Sequence, residues 1–158
     1  MPEFDTSHVK SIVLMGHAGS GKTTLAECML FEAGLISRKG NIAEKTTVSD
    51  YHALEQERGN SIFSTLLHTK WRGYKINIID TPGYDDFMGE VVSALRVADT
   101  GIMLLNASAG VEVSTDILWQ YAEDFKTPII FAVNKLDDEH ADFEKTVLEA
   151  KNHFGNKI

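Results

Sequence analysis

The chain has 158 residues, 43% of them apolar and 24% charged, and a formal net charge of −8. That length and apolar share suit one globular domain with a buried core and argue against wholesale disorder. The acid excess speaks against a broad nucleic-acid or anionic-membrane footprint, no apolar run reaches the ~20 residues of a bilayer span, and a single cysteine, Cys28, permits no internal disulfide.

In chain order, Met1 to Lys10 is polar and lacks the apolar stretch of a secretion signal, so a reducing cytoplasm is the expected location. Val9 to Met15 (VKSIVLM) predicts a short buried strand that Gly16 ends. From Lys22 onward Leu25, Cys28, Met29 and Glu32 recur at helical spacing, and Gly34 is a natural stop. Ser37 to Asn60 is polar and carries Gly40 and Gly59. Some helix is expected around Tyr51 to Glu57, and the rest reads as a mobile loop of the functional kind.

Phe63 to Trp71 sets Phe63, Thr65, Leu67, Thr69 and Trp71 on one strand face and Ser64, His68 and Lys70 on the other, as a sheet edge does. Arg72-Gly73 turns the chain into an antiparallel strand, Tyr74 to Asp80, and Asp86 is placed to cap a helix running to about Ala98. Thr100 to Ala107 predicts a central strand, Val113 to Phe125 an amphipathic helix and Ile129 to Asn134 another apolar strand. Phe143, Val147, Ala150 and Phe154 form the buried stripe of a last helix. Strands alternating with helices imply an α/β fold: a mostly parallel sheet with one antiparallel edge strand, helices on both faces and ligands at the carboxyl ends of the strands.

Gly16-His17-Ala18-Gly19-Ser20-Gly21-Lys22-Thr23 matches G-x-x-x-x-G-K-[ST] between a predicted strand and a predicted helix, the context a P-loop requires. Its glycines let backbone N–H groups wrap phosphates, with the helix dipole behind them. Lys22 supplies a point charge to the β- and γ-phosphates, the Thr23 hydroxyl can ligate Mg²⁺, and Thr24 completes the binding segment. The loop alone does not name the base, since small-molecule kinases and ATPases carry it too.

Two further segments do. Asp80-Thr81-Pro82-Gly83 ends an apolar strand with a carboxylate that can hold Mg²⁺ opposite Thr23, and the Gly83 N–H can meet a γ-phosphate oxygen. By itself D-T-P-G is also ordinary turn chemistry. Asn134-Lys135-Leu136-Asp137 follows the strand at Ile129. Guanine displays an N1–H beside an exocyclic amine, and one carboxylate at Asp137 accepts from both, whereas adenine would leave it unpaired. Asn134 can tie this loop to the P-loop, and the Lys135 stem can cover the base plane. An ATP-dependent P-loop kinase remains the less favoured reading.

Together these motifs resemble translational GTPases. Asp50 through Ile62 (DYHALEQERGNSI) and Asp80 through Phe87 (DTPGYDDF) are similar to the two switches of elongation factor G and its relatives, such as ribosomal protection proteins and a peptide-chain release factor, which read E-Q-E-R-G-I-T-I and D-T-P-G-H-x-D-F. The resemblance spans essentially the whole chain. It implies a GTP/GDP- and Mg²⁺-binding translation factor that acts on the ribosome, including its RNA, largely through domains beyond this one, as a monomer without membrane attachment.

It also implies that residues 1–158 are the GTP-binding domain at the amino-terminal end of a larger multidomain factor. A last strand and helix of the complete domain, with a third base-contacting loop, would then be missing, and the sheet edge beyond Ile129 to Asn134 would be exposed.

The departures from the family pattern cluster. The switch threonine that reaches Mg²⁺ falls at Ser61, the apolar gate beside the attacking water at Asn60, the water-orienting histidine at Tyr84 and the P-loop aspartate at Gly19. Lys22, Thr23, Asp80, Gly83, Asn134 and Asp137 are unaltered. The resemblance thus assigns catalysis to Tyr84, Lys22 and Gly83, and the metal to Thr23, Ser61 and Asp80. A tyrosine hydroxyl, with an ordinary pKa of about 10, orients water but accepts a proton poorly. Slow or absent hydrolysis is expected, as in a divergent paralogue. The alternatives are a guanine-nucleotide switch without turnover or a ribosome-protection or release-type factor. His17 reads as a loop-shaping residue and Cys28 as core, and helix capping accounts for at least one of Asp85 and Asp86, which could otherwise look like paired catalytic acids. The switch region at Ser37 to Asn60 is expected to close only when a γ-phosphate and Mg²⁺ recruit Ser61.

Overall fold

The computed structural model describes residues 4–155, so residues 1–3 of the polar start and 156–158 lie outside the described residues. Five strands form one sheet in the order β2-β3-β1-β4-β5: β1 Val9–Met15, β2 Thr65–Trp71, β3 Tyr74–Asp80, β4 Thr100–Asn106 and β5 Ile129–Asn134. All neighbours run parallel except β2 and β3, which are joined by the Arg72-Gly73 turn. The predicted α/β architecture, with its antiparallel edge strand, is borne out.

The central strand β1 is covered on both faces, and Val13, Leu14 and Met15 have no exposed surface. Its alternation divides the core in two. Leu14, Ile78 and Leu67 face Ala26 and Leu30 of α1 (Lys22–Glu32). Val13, Met15, Met103 and Leu105 face Val91 and Leu95 of α3 (Met88–Leu95), Leu118 and Ala122 of α4 (Val113–Phe125) and Ala150 of α5 (Phe143–Phe154). At roughly 25 cal/mol per Å² of apolar surface removed from water, these two layers supply the main drive to fold. They leave the carboxyl ends of β1, β3 and β5 at one rim.

Several sequence expectations need correction. The buried face of α1 is Lys22, Thr23, Ala26, Glu27 and Leu30, whereas Leu25, Cys28 and Met29 are half-buried and Glu32 is exposed. The apolar spacing there marks a groove between α1 and the sheet, and Cys28 lines it. In α5 Phe143 is exposed and Thr146 is buried with Ala150, because the Thr146 hydroxyl reaches the Ala107 and Asp142 carbonyls. Asp86 caps nothing. Asp85–Phe87 is a 3-10 turn, Phe87 stands at the cap of α3 without a side-chain bond, and the helix stops at Leu95 rather than near Ala98. Phe63 falls before β2, exposed, with its ring against His52.

Candidate functional site

The phosphate turn is shaped by its own backbone and by one lysine. The Lys22 ammonium folds back to donate to Gly16 O (2.8 Å) and His17 O (2.9 Å). Burial pulls its pKa down to about 8, against the opposing pull of Asp80 and Glu112. Gly83 lies so close that a Cβ there would stand 2.5 Å from Lys22 Nζ and 2.7 Å from Ala18 N. Only glycine fits so close against the turn. His17 is held by α4 and the loop before it: Nδ1 is 2.8 Å from Ser114 Oγ, and Nε2 is 3.4 Å from Glu112. That geometry gives the loop-shaping role a physical form.

Beside the turn, a cavity of about 320 Å³ is lined by Ala18, Gly19, Gly21, Lys22, Thr23 and Thr24. Asp50, Asn60, Ser61, Gly83, Tyr84 and Lys135 close it from other segments. Thus the P-loop, both switch-like segments and the base loop meet at one place. Gly16, His17, Ser20, Asp80, Asn134 and Asp137 are not part of the lining.

At the start of α1, Thr23 Oγ1 stands 3.3 Å from Ser61 Oγ, which donates to Asp50 Oδ1 at 2.7 Å. Asp80 accepts from Ser49 Oγ at 2.6 Å through one oxygen, and its other oxygen is buried with no partner. Burial pushes Asp80 up to about 6 against the pull of the Ser49 and Thr23 hydroxyls and the Lys22 charge, and burial likewise raises Asp50 against its bond from Ser61. A buried carboxylate oxygen without a partner is costly, and a hard cation would relieve it. Among the described residues no cluster of three or more His, Cys, Asp or Glu side chains could hold a metal. The donor set is instead two hydroxyls with two carboxylates, chemistry that suits magnesium with part of its water shell.

Residues 37–60 hold the helix expected around Tyr51 to Glu57 within an otherwise irregular stretch placed by specific contacts. They wrap the cavity, with a short helix α2 at Ala53–Arg58 closed by Gly59, and Ser61 already lies beside Thr23. Buried carboxylates anchor the wrap: Glu55 accepts Ile62 N (2.9 Å) and Phe63 N (3.0 Å), and Glu27 accepts Gly40 N and Val48 N. Ser49, Asp50, Glu27 and Glu55 escape a reading of the sequence alone. The available signal is Asp50, eleven residues ahead of Ser61 in the stretch that carries the resemblance.

In the base loop, Asn134 Nδ2 donates to Ser20 O at 2.8 Å, joining the end of β5 to the phosphate turn. Lys135 adopts φ 59°, uncommon outside glycine, and reaches the cavity wall. Asp137 is exposed two residues farther along.

The model of the elongation factor Tu GTP binding domain matches residues 7–158. The chain belongs to that family. It is 41% identical over 96% of its length to the elongation factor G-like protein of Thermotoga maritima, covering 21% of that protein. It is 44% identical over 90% of its length to the mitochondrial ribosome-releasing factor 2 of Candida dubliniensis, covering 18% of it. A crystal structure from Thermus thermophilus superposes over 94% of the chain and 22% of its own with a TM-score of 0.90 at 34% identity. The chain thus spans about a fifth of the length of these relatives. The family is one of guanine-nucleotide-binding domains, so the kinase reading falls away.

Proposed function

We propose that this chain is the GTP-binding and GTP-hydrolysing domain, at the amino-terminal end, of a cytoplasmic, ribosome-acting factor of the elongation factor G type. The observation that carries the reading is the convergence of Lys22, Ser61, Gly83, Tyr84 and Lys135 on one cavity, with Asn134 bonded to Ser20 behind it. In this reading residues 16–24 hold the phosphates, Asn134, Lys135 and Asp137 hold guanine, and Thr23, Ser61 and Asp80 hold Mg²⁺, with Asp50 beside them. The metal would neutralise charge on the β- and γ-phosphate oxygens. Lys22 and the Gly83 N–H face the γ-phosphate, and Tyr84 orients water. The names of the relatives support elongation or ribosome release as the step served.

Tyr84 and Asn60 line the cavity where the family pattern has a histidine and an apolar gate. Loss of one positioned catalytic contact commonly costs about 10²- to 10³-fold in rate. Tyr84→His should accordingly raise ribosome-stimulated phosphate release by about a hundredfold while leaving GDP affinity unchanged. Equal rates for the natural protein and the variant would show that Tyr84 is no handicap.

A further inference from the structure

The segment from Gly40 to Val48 is closed on itself and hung from one side chain. Within it Thr46 N donates to Asn41 O at 3.1 Å, Asn41 N to Thr46 Oγ1 at 2.9 Å and Ala43 N to Asn41 Oδ1 at 2.8 Å. Its neck is Glu27. One carboxylate oxygen accepts Gly40 N at 2.7 Å, the other accepts Val48 N at 2.6 Å, and the residue is 1% exposed. Its neighbours on that helix face are Ala26 and Leu30, both core residues. A carboxylate among them is costly unless its oxygens are satisfied, and here both are.

Glu27 stands four residues after Thr23, one helical turn along the same buried face. The two residues after Val48 go straight to the metal side: Ser49 bonds Asp80, and Asp50 bonds Ser61, whose hydroxyl returns to within 3.3 Å of Thr23. Helix α1, the Glu27 neck and the residues at 49, 50 and 61 thus form a closed circuit around the cation position.

We propose that Glu27 is a positioning residue: it fastens residues 40–48 to the phosphate-binding helix, so that Ser49, Asp50 and Ser61 are set for a magnesium-bound nucleoside triphosphate. This rests on the function proposed above and deepens it. Glu27 acts through backbone amides and touches no ligand. A diphosphate is held by the phosphate turn and the base loop, whereas a triphosphate with magnesium also engages the wrap. The neck therefore governs discrimination between the two.

The decisive variant is Glu27→Gln, which keeps shape but turns one acceptor into a donor facing an N–H. In the intact protein, affinity for GDP should stay within about twofold of natural. Affinity for a non-hydrolysable GTP analogue in Mg²⁺ should fall about tenfold or more, the magnesium midpoint should rise, and the Gly40 and Val48 amides should lose hydrogen-exchange protection. Gly40→Ala strains the same neck without touching α1, because a Cβ there would run into Thr46 O and Thr47 Cα. It should reproduce the selective loss. Arg38→Ala removes only the exposed Arg38–Glu44 pair and should change neither affinity. Equal weakening of GDP and analogue in both neck variants, or no change in either, overturns the proposal. A natural protein that binds neither nucleotide sinks the functional reading, and this inference with it.

Discussion

The phosphate turn and the wrap meet at one cavity but are built on opposite plans. The turn at residues 16–23 is local: its shape comes from glycines, a helix start and a lysine that folds back onto carbonyls five and six residues away. The wrap at residues 37–62 has one local anchor, Glu55 in its own helix, and two distant ones, Glu27 on α1 and Asp80 at the end of β3. A short-range motif carries its geometry wherever it occurs. A segment hung from remote carboxylates can be released by changing one of them. Under the function proposed above, that difference suits a constant grip on the first phosphates and a reversible response to the third.

The largest expected effect tests the turn. Lys22→Met should weaken GDP and GTP-analogue binding together, by about a hundredfold, because both share the β-phosphate contact. Its effect on the ligand-free fold should have the opposite sign. The pKa of Lys22 is depressed to about 8, so the stability linked to it is lost as pH falls through 8, and at pH 7 the natural chain carries a buried charge that the methionine does not. Thermal unfolding at pH 7 without nucleotide should show Lys22→Met no less stable than the natural protein. A clear loss would mean that the lysine–carbonyl bonds, rather than the backbone, build the turn.

A smaller effect tests where turn and wrap join. The Asp80 pKa is raised to about 6, so stability linked to this group is fully present below its ordinary value near 4 and is lost as pH rises through 6. With chelator and no nucleotide, the natural protein should lose on the order of 3 kcal/mol relative to Asp80→Asn between pH 4 and pH 7. Magnesium with GTP analogue should abolish that loss. A pH-independent difference between the two proteins would detach Asp80 from the proposed cation position.

How much of this is legible in the sequence follows the same division. The strands and the helix at Val113–Phe125 announce themselves through local periodicity, and the P-loop, Asp80–Gly83 and Asn134–Asp137 through contiguous residues whose spacing has a chemical reason. The wrap reads as mobile because two of its anchors, Glu27 and Asp80, lie elsewhere in the chain. An acid at Glu27 looks like the solvent side of an amphipathic helix, and only the fold shows that the loop amides turn toward it. The same bias exchanges the faces of α1: Leu25, Cys28 and Met29 are apolar at helical spacing, yet the deepest face is Thr23, Ala26, Glu27 and Leu30, because the site requires polar residues there. Asp86 fails as a cap for a plainer reason: a 3-10 turn intervenes and moves the helix start to Met88.

The reading of function depends most on Asp137 and the phosphate turn together selecting a guanine nucleotide. Calorimetric titration of the intact protein with GDP and with ADP, in magnesium and side by side with Asp137→Asn, tests it most directly. GDP should bind at least about a hundredfold more tightly than ADP to the natural protein, and the variant should lose most of that margin. Equal affinities, or an adenine preference, would contradict the account.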